Sequence, residues 1–214
     1  MKAHPTYLSG VDKVTLDYSQ EQQFWAWFQQ REEKLFNFEL DEDRIFAELD
    51  SALAKVAPHL TFEFGPIMNG TREFVISADG IKADFPAIEA LAAAAPALPC
   101  WKIIKFRQRQ TPIAELTFAG KTVKPVDVEF CLLSNGRELG VYLFFDSYSE
   151  KDAAVWAHIA FLFLDQALGE YDVATKVGPV KAFHSDAHPG AARYTLPELP
   201  ERFDARFNML DRGH

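Results

Sequence analysis

The chain of 214 residues is short of cysteine, of long apolar runs and of basic charge, and each shortage excludes something. Two cysteines, Cys100 and Cys131, are too few for a disulfide framework, and no cysteine pair stands ready to complete a four-ligand zinc site. The run Ile159–Leu164 spans six residues, against the roughly 20 that a membrane-spanning helix needs, so no membrane association is expected. Met1 to Tyr7 carries no apolar run of the secretory kind, and a cytoplasmic location is expected. Lys and Arg number 22 against 31 Asp and Glu, a net charge of −9. A surface of that sign repels phosphate backbones, so nucleic acid is not an expected partner. Also missing are a Gly-x-Ser-x-Gly elbow, a phosphate loop ending in Lys-Ser/Thr, and a dinucleotide fingerprint after a strand. No cofactor is expected.

Aromatic residues, in contrast, are plentiful. Nineteen Phe and four Trp can form a sizeable core, within a chain whose 48% hydrophobic and 25% charged residues give a globular balance. Ser19 followed by Gln22 is a capping box. It opens a helix carrying Phe24, Trp27, Phe28, Leu35 and Phe38 at helical spacing. Asp41 caps a second helix with a stripe of Ile45, Leu49, Ala52, Leu53 and Val56, stopped by Pro58.

Leu60 to Phe64 then alternates apolar and polar, the period of a half-buried strand. Asn69-Gly70 supplies a hairpin turn, because both residues tolerate positive φ. Phe74-Val75-Ile76 returns, Asp79-Gly80 ends that strand, and Asp84 with Pro86 opens a helix bearing Phe85, Ile88 and Leu91. Trp101 to Arg107 reads as a third strand. The same order recurs 66 residues later, with Asn135-Gly136 aligned on Asn69-Gly70 and Glu129 on Glu63. Val126 to Leu132 alternates, Val141 to Phe145 returns, and Ser149 with Asp152 opens a long helix to about Tyr171. A last strand lies near Pro179 to Phe183. Asp79 and Asp146 fall one register apart, which an extra residue near Gly140 would explain.

The expected fold is therefore α+β. It is a mixed, largely antiparallel sheet from two β-β-α-β units, with helices mainly on one face and a helix pair in front. We read one domain over 1–214. It comprises a helical hairpin (19–57), the first unit (59–108), a connecting hairpin around Ala119-Gly120 (112–124), the second unit (125–184) and a C-terminal extension (185–214). In that extension Leu196 to Pro200 reads as extended, and Phe203, Phe207 and Leu210 form a helical stripe. Val141–Phe145 is apolar on both sides and so belongs in the middle of a sheet. The helix after Ser149 is apolar nearly all round, so either the C-terminal helix or a second copy of the chain covers it, and a homodimer is left open.

Four groups of residues have the types that chemistry uses, each with an ordinary structural reading beside it. Glu63, Asp127 and Glu129 would converge on the open sheet face, as paired carboxylates do in acid–base catalysis, or simply form a solvated face. Asp79 and Asp146 sit where strands end and helices begin, a position that holds ligands in open sheets but also an ordinary place for turn aspartates. Trp101, Lys105, Arg107 and Arg109 alternate onto one side of the third strand, either as an anion-binding strip or as an ion-pair strip with acidic helices. His184, Asp186 and His188 have metal-ligand types at close spacing, but in a loop, and no metal is assigned to them.

The run Phe74-Val75-Ile76-Ser77-Ala78-Asp79-Gly80, the helix bounded by Pro86 and Pro96, and the strand Trp101-Lys102-Ile103-Ile104 with Phe106-Arg107 resemble a family of uncharacterised bacterial proteins. That family has an Ile-Ser-Ala-Asp/Glu-Gly segment, a Trp-x-Ile-x-x-Phe-Arg strand and a preceding helix like Phe24-Trp25-x-Trp27-Phe28. The resemblance covers roughly residues 20–185 and implies a bacterial cytosolic protein without an assigned activity. The expected function is a non-enzymatic binding or protein-interaction module. Its competitors are a small carboxylate-dependent hydrolase or transferase and an immunity-like protein that binds a basic partner.

Overall fold

The computed structural model describes residues 18–134, 138–188 and 190–211. Ser19 caps the first helix as its spacing requires: its N–H donates to Gln22 Oε1 at 3.0 Å and its hydroxyl accepts from Gln22 N at 3.3 Å. This helix, α1 (Gln20–Gln30), buries Phe24, Trp25 and Phe28. The expected single first helix breaks at Arg31, restarts as α2 (Glu32–Phe36) and passes through a 3-10 turn into α3 (Glu42–Leu53). Asp41 stands at the N-cap of α3, but its side chain makes no capping bond.

The first unit follows as β1 (Thr61–Met68), β2 (Thr71–Ser77), α4 (Phe85–Ala93) and β3 (Trp101–Lys105). β2 is central, antiparallel to β1 and parallel to β3, so α4 is the crossover connection. Asn69 and Gly70 take φ of 53° and 78°, the left-handed geometry of a two-residue hairpin. A small hairpin follows, β4 (Leu116–Phe118) and β5 (Lys121–Val123), turned on Ala119-Gly120.

The second unit comprises β6 (Glu129–Ser134), β7 (Leu139–Phe145), α5 (Ala153–Leu168), α6 (Glu170–Lys176) and β8 (Val177–His184). β9 (Tyr194–Thr195) pairs with β6, giving the order β8-β7-β6-β9, and α7 (Leu199–Asp211) closes the chain. β7 is central, antiparallel to β6 and parallel to β8, so the topology of the first sheet is repeated. The strands thus divide between a three-stranded sheet, a four-stranded sheet and the small hairpin. The expected turn at Asn135-Gly136 lies outside the described residues, as do Met1 to Tyr7.

Three local readings change. The long helix expected to reach Tyr171 stops at Leu168, because Gly169 takes φ of 78° and re-aims the chain into α6. Leu196–Glu198 is a 3-10 turn rather than extended, since Thr195 N donates to Glu198 Oε1 at 3.1 Å in a second capping box. The irregularity at Gly140 is real, but the extra residue is on β8: Leu139 faces Val177 whereas Val141 faces Val180. Matching turn bonds, Ile81 N to Ala78 O and Tyr148 N to Phe145 O, set the strand ends 67 residues apart and pair Asp79 with Asp146 in position. On that frame Phe64, opposite Phe74, corresponds to Leu132, opposite Val141, so Glu63 matches Cys131 rather than Glu129.

Each sheet has its own core. In the first, Phe28, Phe74, Leu49, Leu53 and Ile88 are wholly buried, with the Phe28 and Phe74 rings stacked at 5.2 Å. In the second, Val141, Leu143, Ile159 and Phe163 are wholly buried, and Phe203 brings α7 onto α5. Burying each such side chain stabilises by about 1.5–3 kcal/mol, so both sheets carry a substantial hydrophobic term. Among the described residues no helix is long and apolar enough to cross a membrane.

Candidate functional site at the junction of the two sheets

The extensively packed pairs of elements all lie on one side or the other of the segment Phe106–Gln110. That segment is where the halves meet, and the meeting is largely polar. The ladder between β2 and β3 ends with Phe106 N donating to Ile76 O at 2.8 Å, after which Phe106, at φ 61°, turns the chain away. The carboxylate of Glu170 fills the fork this leaves. It accepts from Ala78 N at 2.9 Å, Gly80 N at 3.0 Å and Arg107 N at 3.1 Å, and Glu170 is fully buried. Three N–H donors satisfy the charge of this buried carboxylate.

Arg107 sits beside it. Its Nε donates to Glu63 Oε1 at 2.7 Å, its Nη1 to Asp165 Oδ2 at 3.1 Å and its Nη2 to Asp79 Oδ1. Burial works against the guanidinium charge, but Asp79 and Glu63 outweigh it and raise its pKa above that of an ordinary arginine. Burial also pushes the Asp165 carboxyl above the usual aspartate range, despite the opposing pull of Arg107. Arg109 makes the second clasp, with Nη2 donating to Asp172 at 2.7 Å, Nη1 to Asp204 at 2.7 Å and Nε to Leu168 O at 2.9 Å. The bond that Arg109 donates to Asp204 is the main reason that Arg109 is raised and Asp204 lowered. Tyr171 adds an apolar contact, 5.1 Å from the Phe106 ring and 5.7 Å from that of Phe85.

A cleft of about 850 Å³ opens on this junction. Glu63, Asp79, Arg107 and Asp165 form its charged end, and Leu116, Phe161 and Leu162 its apolar wall. Phe161 is 48% exposed. Gln166 Oε1 accepts from Ala114 N at 2.8 Å, and Gln166 O from Gln110 N at 2.7 Å, which fixes the connecting segment against α5.

Of the residues singled out in the sequence, the structure brings Glu63, Asp79 and Arg107 together. Asp127 and Glu129 do not join them. Asp127 belongs to a 3-10 turn rather than a strand and lines a second cleft with Asp146. Glu129 accepts from Arg193 Nη1 at 3.1 Å. Trp101 is no open platform: it lies in the first core, with its ring 5.1 Å from Phe28 and 5.2 Å from Phe64. The basic strip is an ion-pair strip, since Lys105 meets Glu89 at 2.5 Å while Arg107 and Arg109 meet the carboxylates of the second half. His184 Nδ1 lies 3.4 Å from Asp186, and His188 joins no cluster with them: among the described residues no three His, Cys, Asp or Glu are grouped to hold a metal. Cys100 and Cys131 are both free.

Glu170, Asp165, Asp172 and Asp204 went unread in the sequence. The available signal was Gly169-Glu170, a glycine followed by an acid directly after an apolar helix, where a helix stops and a charge must be housed. Comparison with protein-family models, with curated proteins and with solved structures gave no match to this chain.

Proposed function

We propose that the chain is a non-enzymatic binding or protein-interaction module of a bacterial cytosolic protein, and that the cleft between its two sheets is where it binds. One observation carries this reading: every carboxylate at the charged end of the cleft is already engaged by Arg107. An acid–base pair needs a carboxyl free to exchange its proton, and a guanidinium bonded to all three holds them as a structural set. The half-exposed Phe161 beside Leu116 and Leu162 offers the apolar surface that a ligand or partner segment covers. The residues behind the resemblance to the bacterial family support the same place, since Ala78, Asp79, Gly80, Phe106 and Arg107 make the junction itself. The repeated strand order supports an internal duplication whose two copies have diverged.

Purification from the native host, with mass spectrometry of what remains bound to the wild type and to Phe161→Glu, tests the proposal. The expected result is a retained ligand or partner that the variant loses. A second reading, a carboxylate-dependent hydrolase or transferase, draws on the raised pKa of Asp165. It requires turnover that Asp165→Asn abolishes. The net charge of −9 suits a basic partner, as the immunity-like reading asks.

A further inference from the structure

The second cleft, about 410 Å³, lies at the end of β7 in the position that the junction occupies in the first unit. Carboxyl ends of strands are where open sheets take ligands. Its lining carries both signs of charge within a small volume: Lys121 and Lys124 against Glu115, Asp127 and Asp146, with Ser147 also on the lining. Trp156 also lines it. That side chain is 1% exposed, and its Nε1–H is a buried donor that no described atom accepts. Three other buried side-chain nitrogens lack partners, on Arg72, Trp101 and Arg193, but those residues line neither cleft. Lys121 lies over the indole, its ammonium 5.2 Å from the Trp156 ring centroid and bonded to Asp152 at 2.9 Å in a partly exposed pair.

We propose that this cleft binds a small zwitterion of α-amino-acid type. The ligand carboxylate takes the Lys121 ammonium from Asp152, enters over the indole edge and accepts from Trp156 Nε1–H. A buried donor left without a partner is costly, and a carboxylate oxygen is the acceptor that relieves it. Lys124 adds a second positive charge to the lining. The ligand ammonium is held by Asp127 and Asp146, both of them exposed. An anion alone would meet the carboxylates of Glu115, Asp127 and Asp146 uncompensated, and a cation alone the two lysines, so the cleft favours a ligand carrying both. This site is independent of the junction cleft, and either could fail without the other.

The test is ¹H–¹⁵N NMR of the full chain, following the indole N–H signal of Trp156, identified by its loss in Trp156→Phe. Glycine, acetate and methylammonium are the probes, being the zwitterion and its two halves. With glycine the signal should move downfield and saturate, while acetate and methylammonium bind at least about tenfold more weakly, the worth of one charge-assisted hydrogen bond. Asp146→Asn, a substitution at an exposed position that leaves the core intact, should weaken glycine by a similar factor. An indole signal that does not respond to glycine, or drifts without saturating, overturns the proposal. So does acetate binding as tightly as glycine.

Discussion

Glu170 and Arg107 bond to each other twice, once between backbones and once from backbone to carboxylate: the Glu170 N–H donates to Arg107 O at 3.0 Å, and the Arg107 N–H donates to Glu170 Oε2 at 3.1 Å. This pair splices the start of α6 onto the end of β3 and brings the second half of the chain against the first.

Glu170→Ala would leave three N–H donors facing a hole. At about 1–3 kcal/mol for each buried donor without a partner, the variant should lose several kcal/mol of stability. Urea titration followed by circular dichroism measures this. A loss below about 1 kcal/mol, the worth of one ordinary hydrogen bond, would show that the fork is not closed by this carboxylate.

Gly169→Ala attacks the same splice through the backbone. A Cβ there would stand 3.2 Å from Arg107 O on a residue at φ 78°, so it meets both a contact and a conformation that side chains disfavour. The expected loss is about 1–3 kcal/mol. Gly70→Ala makes a useful control, because at φ 78° its Cβ meets nothing within 4 Å and only the backbone strain applies.

The pH dependence follows from Asp165. Its pKa is raised above the usual 3.8 by burial, so the native state holds that proton more tightly than the unfolded chain does. The stabilisation this gives is complete below 3.8 and is lost as pH rises through the native value. The stability of the wild type relative to Asp165→Asn should therefore grow as pH falls through that window. Arg107→Met removes the one group pulling the Asp165 pKa down, so the carboxyl should titrate higher still by ¹³C NMR. A lower value in that variant would contradict the geometry.

In the first core, Phe74 is wholly buried and within 6.4 Å of Phe24, Trp25, Phe28, Phe62, Phe64 and Trp101. Phe74→Ala should cost about 3–5 kcal/mol, measured by thermal or urea unfolding. The fluorescence of Trp25 and Trp101, both buried in this core, should change with it.

The local architecture could be read from the sequence because it rests on short-range rules. Ser19 and Gln22 cap a helix three residues apart, Asn69-Gly70 and Ala119-Gly120 adopt the left-handed turns their hairpins require, and the unbroken Val141–Phe145 marks a central strand. The site could be read only in part. Glu63, Asp79 and Arg107 were visible as candidates, yet their meeting depends on Phe106 turning out of the strand, and alternation carried past Lys105 assumes that it does not. Glu170 bonds to Ala78 across 92 positions of sequence, a distance at which no local pattern speaks. Alternation puts Asp127 and Glu129 on one strand face, whereas Pro125–Asp127 folds as a 3-10 turn.

The most direct measurement for the central claim compares wild type with Phe161→Glu, each purified from the native host under conditions that keep bound molecules. With unchanged circular dichroism in both, the wild type should retain a ligand or partner that the variant has lost. Identical retained molecules in both proteins would contradict a binding site in the cleft between the sheets.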